Sequence, residues 1–271
     1  MKTLYISDLD GTLLDKRASL SDYTKSTIKE LIRNGMSFTV ATARSRSTIA
    51  YLDALGVNIP CVQLNGVLIY DPVSEKYIDS TPMDTDTARK ITDILHHFDR
   101  MSFVYKFDTD GGVNVEFERL SNDTEKNFFE ARKGSDYKSF RQIDNITIGD
   151  DEKIIYFTMV DARERLFPIY SKIKELPGAV ATLYSDNYSD DYFLEVFSSN
   201  ATKANGMKKI KQLVGADRTV AFGDNLNDIG MLQSADIGIA VGDGAEQVKN
   251  CADIIIGNSY DSAVAKYLST L

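Results

Sequence analysis

TLYISDLDGT, residues 3–12, is the stretch on which the fold turns. Residues 3–7 form a short apolar run that stops at an acid, which reads as a buried strand. Working outward, residues 21–34 carry a helical stripe in Ile28, Leu31 and Ile32, with Ser21 placed to cap it and Gly35 where a stop belongs. MSFTVAT (36–42) reads as a second strand, RSTIAYLDALG (46–56) as a helix stopped by Gly56, and CVQLN (61–65) as a third strand. The end of the chain repeats this grammar. RTVAFGD (218–224), ADIGIAV (235–241) and ADIII (252–256) read as strands, each followed by a helix, the last over 260–271. Strands alternating with helices imply parallel pairing, so the expected fold class is α/β with a doubly wound parallel sheet. The runs TVAF and IGIAV show little polar alternation, as strands covered on both faces do.

The middle of the chain is patterned differently. It reads as a helix over 85–98, two strands around a Gly-Gly turn, a helix near 122–132, a strand over 154–159, a helix over 162–176, and the strands GAVATLYS (178–185) and YFLEVFS (192–198). Polar and apolar residues alternate in VNVEFERL (113–120) and YFLEVFS, the pattern of an antiparallel sheet with one covered face. An α+β module is therefore expected to interrupt the α/β core. The core is expected over 1–82 and 198–271 and the inserted module over 83–197, with hinges at 80–82 and 198–201.

A chain of 271 residues suits two modest domains. A net charge of -9 lacks the electrostatic footprint of a nucleic-acid binder. On so acidic a protein, an anion site needs local positive charge or a bound cation. The two cysteines, Cys61 and Cys251, lie in apolar stretches and read as buried thiols. The first apolar run is too short for a secretory signal, and no segment approaches the roughly 18 apolar residues of a membrane span. These features predict a soluble cytoplasmic protein, monomeric or weakly homo-oligomeric, without nucleic-acid or membrane partners.

Ligands of open parallel sheets bind beyond the carboxyl ends of the strands. Beyond the four core strands stand, in chain order, Asp8 and Asp10, then Thr42, Ala43 and Arg44, then Asn65 and Gly66, then Asp224, Asn227 and Asp228; Lys203 opens a helix just before the fourth strand. Asp8 and Asp10 are two apart, which in an extended chain places both carboxylates on one side. Asp224 and Asp228 are four apart, one turn if a helix starts there. So many carboxylates repel one another without a cation. Hard oxygen donors select magnesium, which also shares itself with phosphate. Lys203 adds a mobile positive donor and Thr42 a hydroxyl.

DLDGT, the strand-terminal ATAR, Lys203 and GDNLND are similar, in order and spacing, to the four motifs of the haloacid dehalogenase-like phosphatases. QLNGVLIYD and the long insertion between the second and third motifs resemble the Cof-type subgroup, class IIB. The resemblance implies a magnesium-dependent phosphatase acting on a small phosphorylated metabolite, with a sugar phosphate the best guess. It implies that Asp8 attacks phosphorus to form an aspartyl phosphate, and that Asp10 protonates the leaving oxygen and then activates water. Magnesium falls to the Asp8 carboxylate, the Asp10 backbone carbonyl and Asp224, with Asp228 either a direct ligand or a support behind the ligands. The phosphoryl oxygens fall to Thr42, the amides of Leu9 and Ala43, Lys203 and Asn227. Arg44, Asn65, Gly66 and Glu195 are further substrate candidates, Glu195 together with Asp190 and Asp191 lying near the return hinge. The subgroup usually carries glycine where this chain has Ala43 and Ala204, which predicts slightly altered loop geometry. A phosphosugar mutase of the same fold and a non-catalytic phosphate-ligand sensor are the alternatives.

Two further motifs read as structural. Adjacent His96 and His97 point in different directions from one helix and read as surface or packing residues. KFDTDGGVNV (106–115) repeats D-x-D-G, but without a buried strand before it, and reads as a hairpin turn.

Overall fold

The computed structural model describes residues 1–15, 17–100, 102–135, 137–185 and 191–271, and of Ser47 the backbone alone. In chain order the first elements are β1 (Thr3–Ser7), α1 (Asp22–Arg33), β2 (Ser37–Val40), α2 (Ile49–Leu55), β3 (Cys61–Gln63), β4 (Leu68–Asp71) and β5 (Lys76–Ser80). Then come α3 (Thr85–His97), β6 (Phe103–Phe107), β7 (Val113–Phe117), α4 (Asp123–Glu130), β8 (Lys138–Gln142), β9 (Lys153–Asp161), α5 (Arg163–Ile173), β10 (Ala179–Ser185) and β11 (Tyr192–Ser198). The chain closes with α6 (Lys203–Val214), β12 (Arg218–Gly223), α7 (Ile229–Ser234), β13 (Ile237–Ala240), α8 (Glu246–Lys249), β14 (Ile254–Ile255) and α9 (Ala263–Leu268). These elements form two compact units, Met1–Asp79 with Thr202–Leu271 and, between them in sequence, Ser80–Ala201.

The discontinuous core unit is a mixed α/β structure around a five-stranded parallel sheet, ordered β14-β13-β12-β1-β2. From β1 the chain moves outward to β2 on one side, and the later strands build up from β12 on the other. The carboxyl ends of β1 and β12 thus flank the point where strand order reverses, the place such sheets hold ligands. The register is even: Ser7 pairs with Phe222 and with Val40. Asp8 and Asp224 therefore leave the sheet at one edge. Leu4, Ile6 and Ala221 pack under Met207 and Ile210 of α6 and Met231 and Leu232 of α7. Ser21 caps α1 by accepting from the Thr24 amide, and Gly56 ends α2 in the left-handed conformation.

CVQLN departs from expectation. β3 joins the parallel sheet through a single bridge, Ala41 to Val62, and its ladder partner is β4 in a separate antiparallel sheet ordered β3-β4-β5. The β4–β5 hairpin escapes the sequence pattern because residues 68–71 are buried on both faces and those of β5 alternate weakly.

The inserted unit is a six-stranded sheet ordered β10-β11-β9-β6-β7-β8. It is antiparallel except at one edge. β8, absent from the sequence reading, pairs parallel with β7, and its KSFRQ pattern is too exposed to announce a strand. Helices α3 and α5 cover one face through Ala88, Ile91, Leu95, Leu166 and Ile169. Of the aromatics in this sheet, Phe103, Tyr105, Phe107, Phe117 and Phe157 are buried, whereas Tyr156 is only half-buried. Both cysteines are free; Cys61 is buried, but Cys251 is half-buried rather than buried. No helix among the described residues is long and apolar enough to cross a membrane.

Candidate active site

Asp8 is the first residue beyond β1, and its amide is still tied to Phe222 at 2.9 Å, so its position is set by the sheet. Its carboxylate is almost wholly buried and receives the Lys203 ammonium at 2.6 Å. The same ammonium reaches Asp228 Oδ1 at 2.7 Å. Lys203 is 1% exposed although it is the first residue of a helix, where a positive charge opposes the backbone dipole. Two carboxylates compensate that cost.

Asp224 follows β12 and is fixed by the Thr12 hydroxyl at 2.6 Å. Asp228 is fully buried in a 3-10 turn over Leu226–Asp228, and its Oδ2 accepts the amides of Asp224 and Asn225, each at 3.0 Å. The cap of that turn is Asn225, not Asp224, which leaves the Asp224 side chain available. Asp8, Asp224 and Asp228 each place one carboxylate oxygen within 4.8 Å of the others. Gly11 makes this possible: it sits at φ +80°, and a Cβ there would lie 2.4 Å from Asp224 Oδ2.

The electrostatics follow from burial. Burial pushes the Asp8 carboxyl up to about 8 against the pull of Lys203, and Asp228 and Asp224 add to the rise. Burial also raises Asp224, with Asp228 contributing. Burial works against the Lys203 charge, but Asp8 and Asp228 more than offset it and hold the ammonium above its ordinary value. With all three carboxylates ionised, one ammonium leaves two negative charges unmatched in a buried, all-oxygen donor set. That composition fits a divalent hard cation such as magnesium.

Asp10 does not join this cluster. The chain leaves extended geometry after Ser7, so strand alternation no longer orients it, and its carboxylate forms a two-point pair with Arg44, Nε to Oδ2 at 2.7 Å and Nη2 to Oδ1 at 2.5 Å. Arg44 in turn lies over the Tyr51 ring, 5.3 Å from its centroid. Thr42 is fully buried, and its hydroxyl accepts the Arg44 amide at 3.1 Å. Leu9 is buried, and its carbonyl anchors the turn by accepting the amides of Leu13 and Leu14 at 3.0 and 2.8 Å. Asn227 donates to Asn65 Oδ1 at 3.1 Å, and Gly66 lies against the Thr202 carbonyl. Ala43 keeps a negative φ and Ala204 lies inside α6, so neither position demands glycine. Glu195 belongs to the inserted unit, where Oε2 accepts the Tyr156 hydroxyl at 2.8 Å. Asp191 accepts from the Thr124 hydroxyl at 3.0 Å, and Asp190 lies outside the described residues. Sequence reading assigns no part to Thr12, Gly11 or Asn225. The first two stand inside the DLDGT motif, and their contacts bridge more than 200 residues, which no local pattern announces.

A family model for haloacid dehalogenase-like hydrolases matches residues 5–268. The chain belongs to this family. Among curated proteins the hydrolase is similar to the 5-amino-6-(5-phospho-D-ribitylamino)uracil phosphatase YitU of Bacillus subtilis, 26% identical over 277 residues that cover 96% of this chain and 94% of that protein. Among solved structures it shares its fold with a protein of Thermotoga maritima, at a TM-score of 0.71 and 21% identity, covering 100% of this chain and 98% of that one. It also shares its fold with a subclass IIB sugar phosphatase of the same superfamily, at a TM-score of 0.65 and 19% identity, covering 100% and 98%.

Proposed function

We propose that this hydrolase is a magnesium-dependent phosphomonoesterase acting on a small phosphorylated metabolite, a sugar or polyol phosphate, through an aspartyl phosphate on Asp8. The observation that carries the reading is the placement of Asp8: buried at the carboxyl edge of β1, an interior strand of the parallel sheet, with Lys203 on one oxygen and Asp224 and Asp228 beside it. The family and the phosphatase relative support the same class of reaction.

Asp8, Asp224 and Asp228 would hold the magnesium together with the Asp10 carbonyl. The ion supplies positive charge that offsets the carboxylates and the oxygens of an incoming phosphoryl group. Lys203 fixes one Asp8 oxygen, which leaves the other as nucleophile toward phosphorus. Phosphate oxygens then meet the Lys203 ammonium, the Thr42 hydroxyl, the amides of Leu9 and Ala43 and the Asn227 side chain, and this fixed array of donors supplies most of the rate. Asp10 gives a proton to the leaving oxygen and takes one from the water that hydrolyses the acyl phosphate. Arg44 occupies both Asp10 carboxylate oxygens in this arrangement, so Asp10 would serve as acid and base only after leaving that two-point pair.

Purified protein with magnesium should hydrolyse p-nitrophenyl phosphate slowly, and both chelation and Asp8→Asn should abolish it. Activity that survives Asp8→Asn overturns the mechanism. Release of inorganic phosphate in a single turnover separates hydrolysis from transfer back to a sugar, the outcome a mutase would give.

A further inference from the structure

Asp10 and Arg44 leave neighbouring strands of the core unit. β1 pairs with β2 as far as Ser7 and Val40, and the Ala41 amide still donates to the Ser7 carbonyl at 2.9 Å. Beyond that point the Arg44 guanidinium closes on both oxygens of Asp10. The two partners are held very differently. Arg44 is anchored from behind: its Nη1 donates to the Tyr51 hydroxyl at 3.5 Å, and that hydroxyl donates to the Ala18 carbonyl at 3.0 Å. The Arg44 amide is tied to the Thr42 hydroxyl. The Asp10 carboxylate has no other hydrogen-bond partner among the described residues, and its side chain is 48% exposed against 27% for Arg44. When the pair opens, Arg44 therefore keeps its place and Asp10 moves.

A pair this exposed adds little to stability, yet it engages both oxygens of the group to which the proposed mechanism gives the acid–base steps. Opening it forfeits two charge-assisted hydrogen bonds. The planar fork of a guanidinium fits the two oxygens of a carboxylate, so a carboxylate carried by the ligand can stand where Asp10 stands with both bonds preserved. A hydroxyl or an apolar group cannot. A second phosphate would bring nearly two negative charges toward a site already lined by Asp8, Asp224 and Asp228, whereas a carboxylate brings one and has the planar shape. Arg44 also directly follows Ala43, whose amide the proposed mechanism gives to the phosphoryl group.

We propose that Arg44 is a specificity-determining residue, which exchanges Asp10 for a carboxylate of the ligand and thereby selects phosphate esters of hydroxy acids, such as sugar acids. Asp10 holds the fork in the free protein. A ligand with both phosphate and carboxylate takes the fork and frees Asp10 in the same event, and a ligand without the carboxylate has to break the pair uncompensated. The inference deepens the phosphomonoesterase reading, on which it rests for the phosphate end of the ligand. Every residue it uses belongs to the core unit.

The test compares ligands that differ in one group, on the full chain with magnesium. 6-Phosphogluconate is set against glucitol 6-phosphate, and 3-phosphoglycerate against glycerol 3-phosphate; each pair exchanges a carboxylate for a hydroxymethyl group and releases a primary alcohol. The kcat/KM ratio of carboxylate to hydroxymethyl member should be about tenfold or more in at least one pair, the worth of hydrogen bonds between charged groups. Arg44→Met should bring the ratio to about one, and Arg44→Lys, which keeps the charge without the fork, should fall between. With enzyme in saturating excess, the single-turnover rate should also be faster for the carboxylate member, because Asp10 is released. A ratio near or below one in both pairs overturns the inference, as does a ratio that survives Arg44→Met. A gain in affinity alone, with equal single-turnover rates, makes Arg44 a simple anion attractor and overturns the exchange. Calorimetry on the Asp8→Asn protein separates the two readings. A carboxylate preference in binding that Arg44→Met removes, in a wild-type chain without turnover, sustains the inference and removes the phosphatase reading alone; no binding of either carboxylate ligand overturns the inference.

Discussion

The chain writes D-x-D-G twice, and the two copies lead opposite lives. In the first, Asp8 is 5% exposed and its partner is Lys203, 195 residues away. In the second, Asp108 closes its own turn between β6 and β7, accepting the amides of Asp110 at 3.0 Å and Gly112 at 2.6 Å and the Asn114 side chain at 3.2 Å. Even the glycines match, Gly11 at φ +80° and Gly111 at +81°. Local geometry is therefore nearly the same request in both places. The difference lies in what the strand before each copy belongs to. β1 lies inside a parallel sheet where its neighbour β12 delivers acids to the same edge, whereas β6 runs into a hairpin whose polar groups satisfy one another.

The sharpest way to break this contrast is to remove each first acid. Asp8→Asn should lower turnover of p-nitrophenyl phosphate by about 10³-fold or more, as loss of a nucleophile does. Asp108→Ala should leave turnover within about twofold and cost about 1–2 kcal/mol in urea denaturation, the worth of a few turn hydrogen bonds. Equal losses of activity would erase the distinction.

Lys203→Met tests the long-range partner. It strands the buried carboxylates of Asp8 and Asp228, and breaking a buried pair costs about 3–5 kcal/mol. Denaturation in magnesium should recover part of that loss; a variant as stable as the parent in chelator would show that the ammonium is not compensating the acids.

The glycines offer a smaller comparison. Gly11→Ala drives a Cβ into Asp224 Oδ2, so magnesium affinity measured by calorimetry should fall about tenfold or more. Gly111→Ala bears the left-handed backbone penalty, about 1–2 kcal/mol, and should leave magnesium affinity unchanged.

The smallest effect concerns pH. Burial raises Asp8 from 3.8 to about 8, so the folded metal-free protein holds a proton that the unfolded chain gives up. That group's contribution to stability is complete below about pH 4 and is lost as pH rises through about 8. On the proposed mechanism, magnesium would replace the proton. The rise in Tm on adding magnesium should therefore grow between pH 5 and pH 8, roughly the window those two values bracket. A shift that is constant over this range would detach Asp8 from the ion.

How much of this the sequence shows varies with the range of the forces involved. β1, α1 and α3 are legible almost to the residue because caps and apolar spacing are local, as Ser21 and Asp84 show by binding amides three residues on. The parallel sheet follows from strand–helix alternation. The strand β8 and the β4–β5 hairpin are not legible, since their side chains show no clean period in burial. CVQLN misleads because an apolar strand looks the same whichever sheet receives it.

In the site, the residue types and their order along the chain are enough to select Asp8, Lys203, Asp224 and Asp228, and even spacing of parallel strands explains why they meet. Spacing alone places Asp10 beside Asp8, and there it misleads. Only the folded chain gives Asp10 to Arg44 and puts Thr12 on Asp224. Such contacts depend on where a backbone turns and which surfaces close against each other, and those are set by packing of the whole chain. The sequence determined which chemistry was present at the end of which strand; tertiary structure decided which of those groups are desolvated together, and so which carry charge, could hold an ion or simply close a turn.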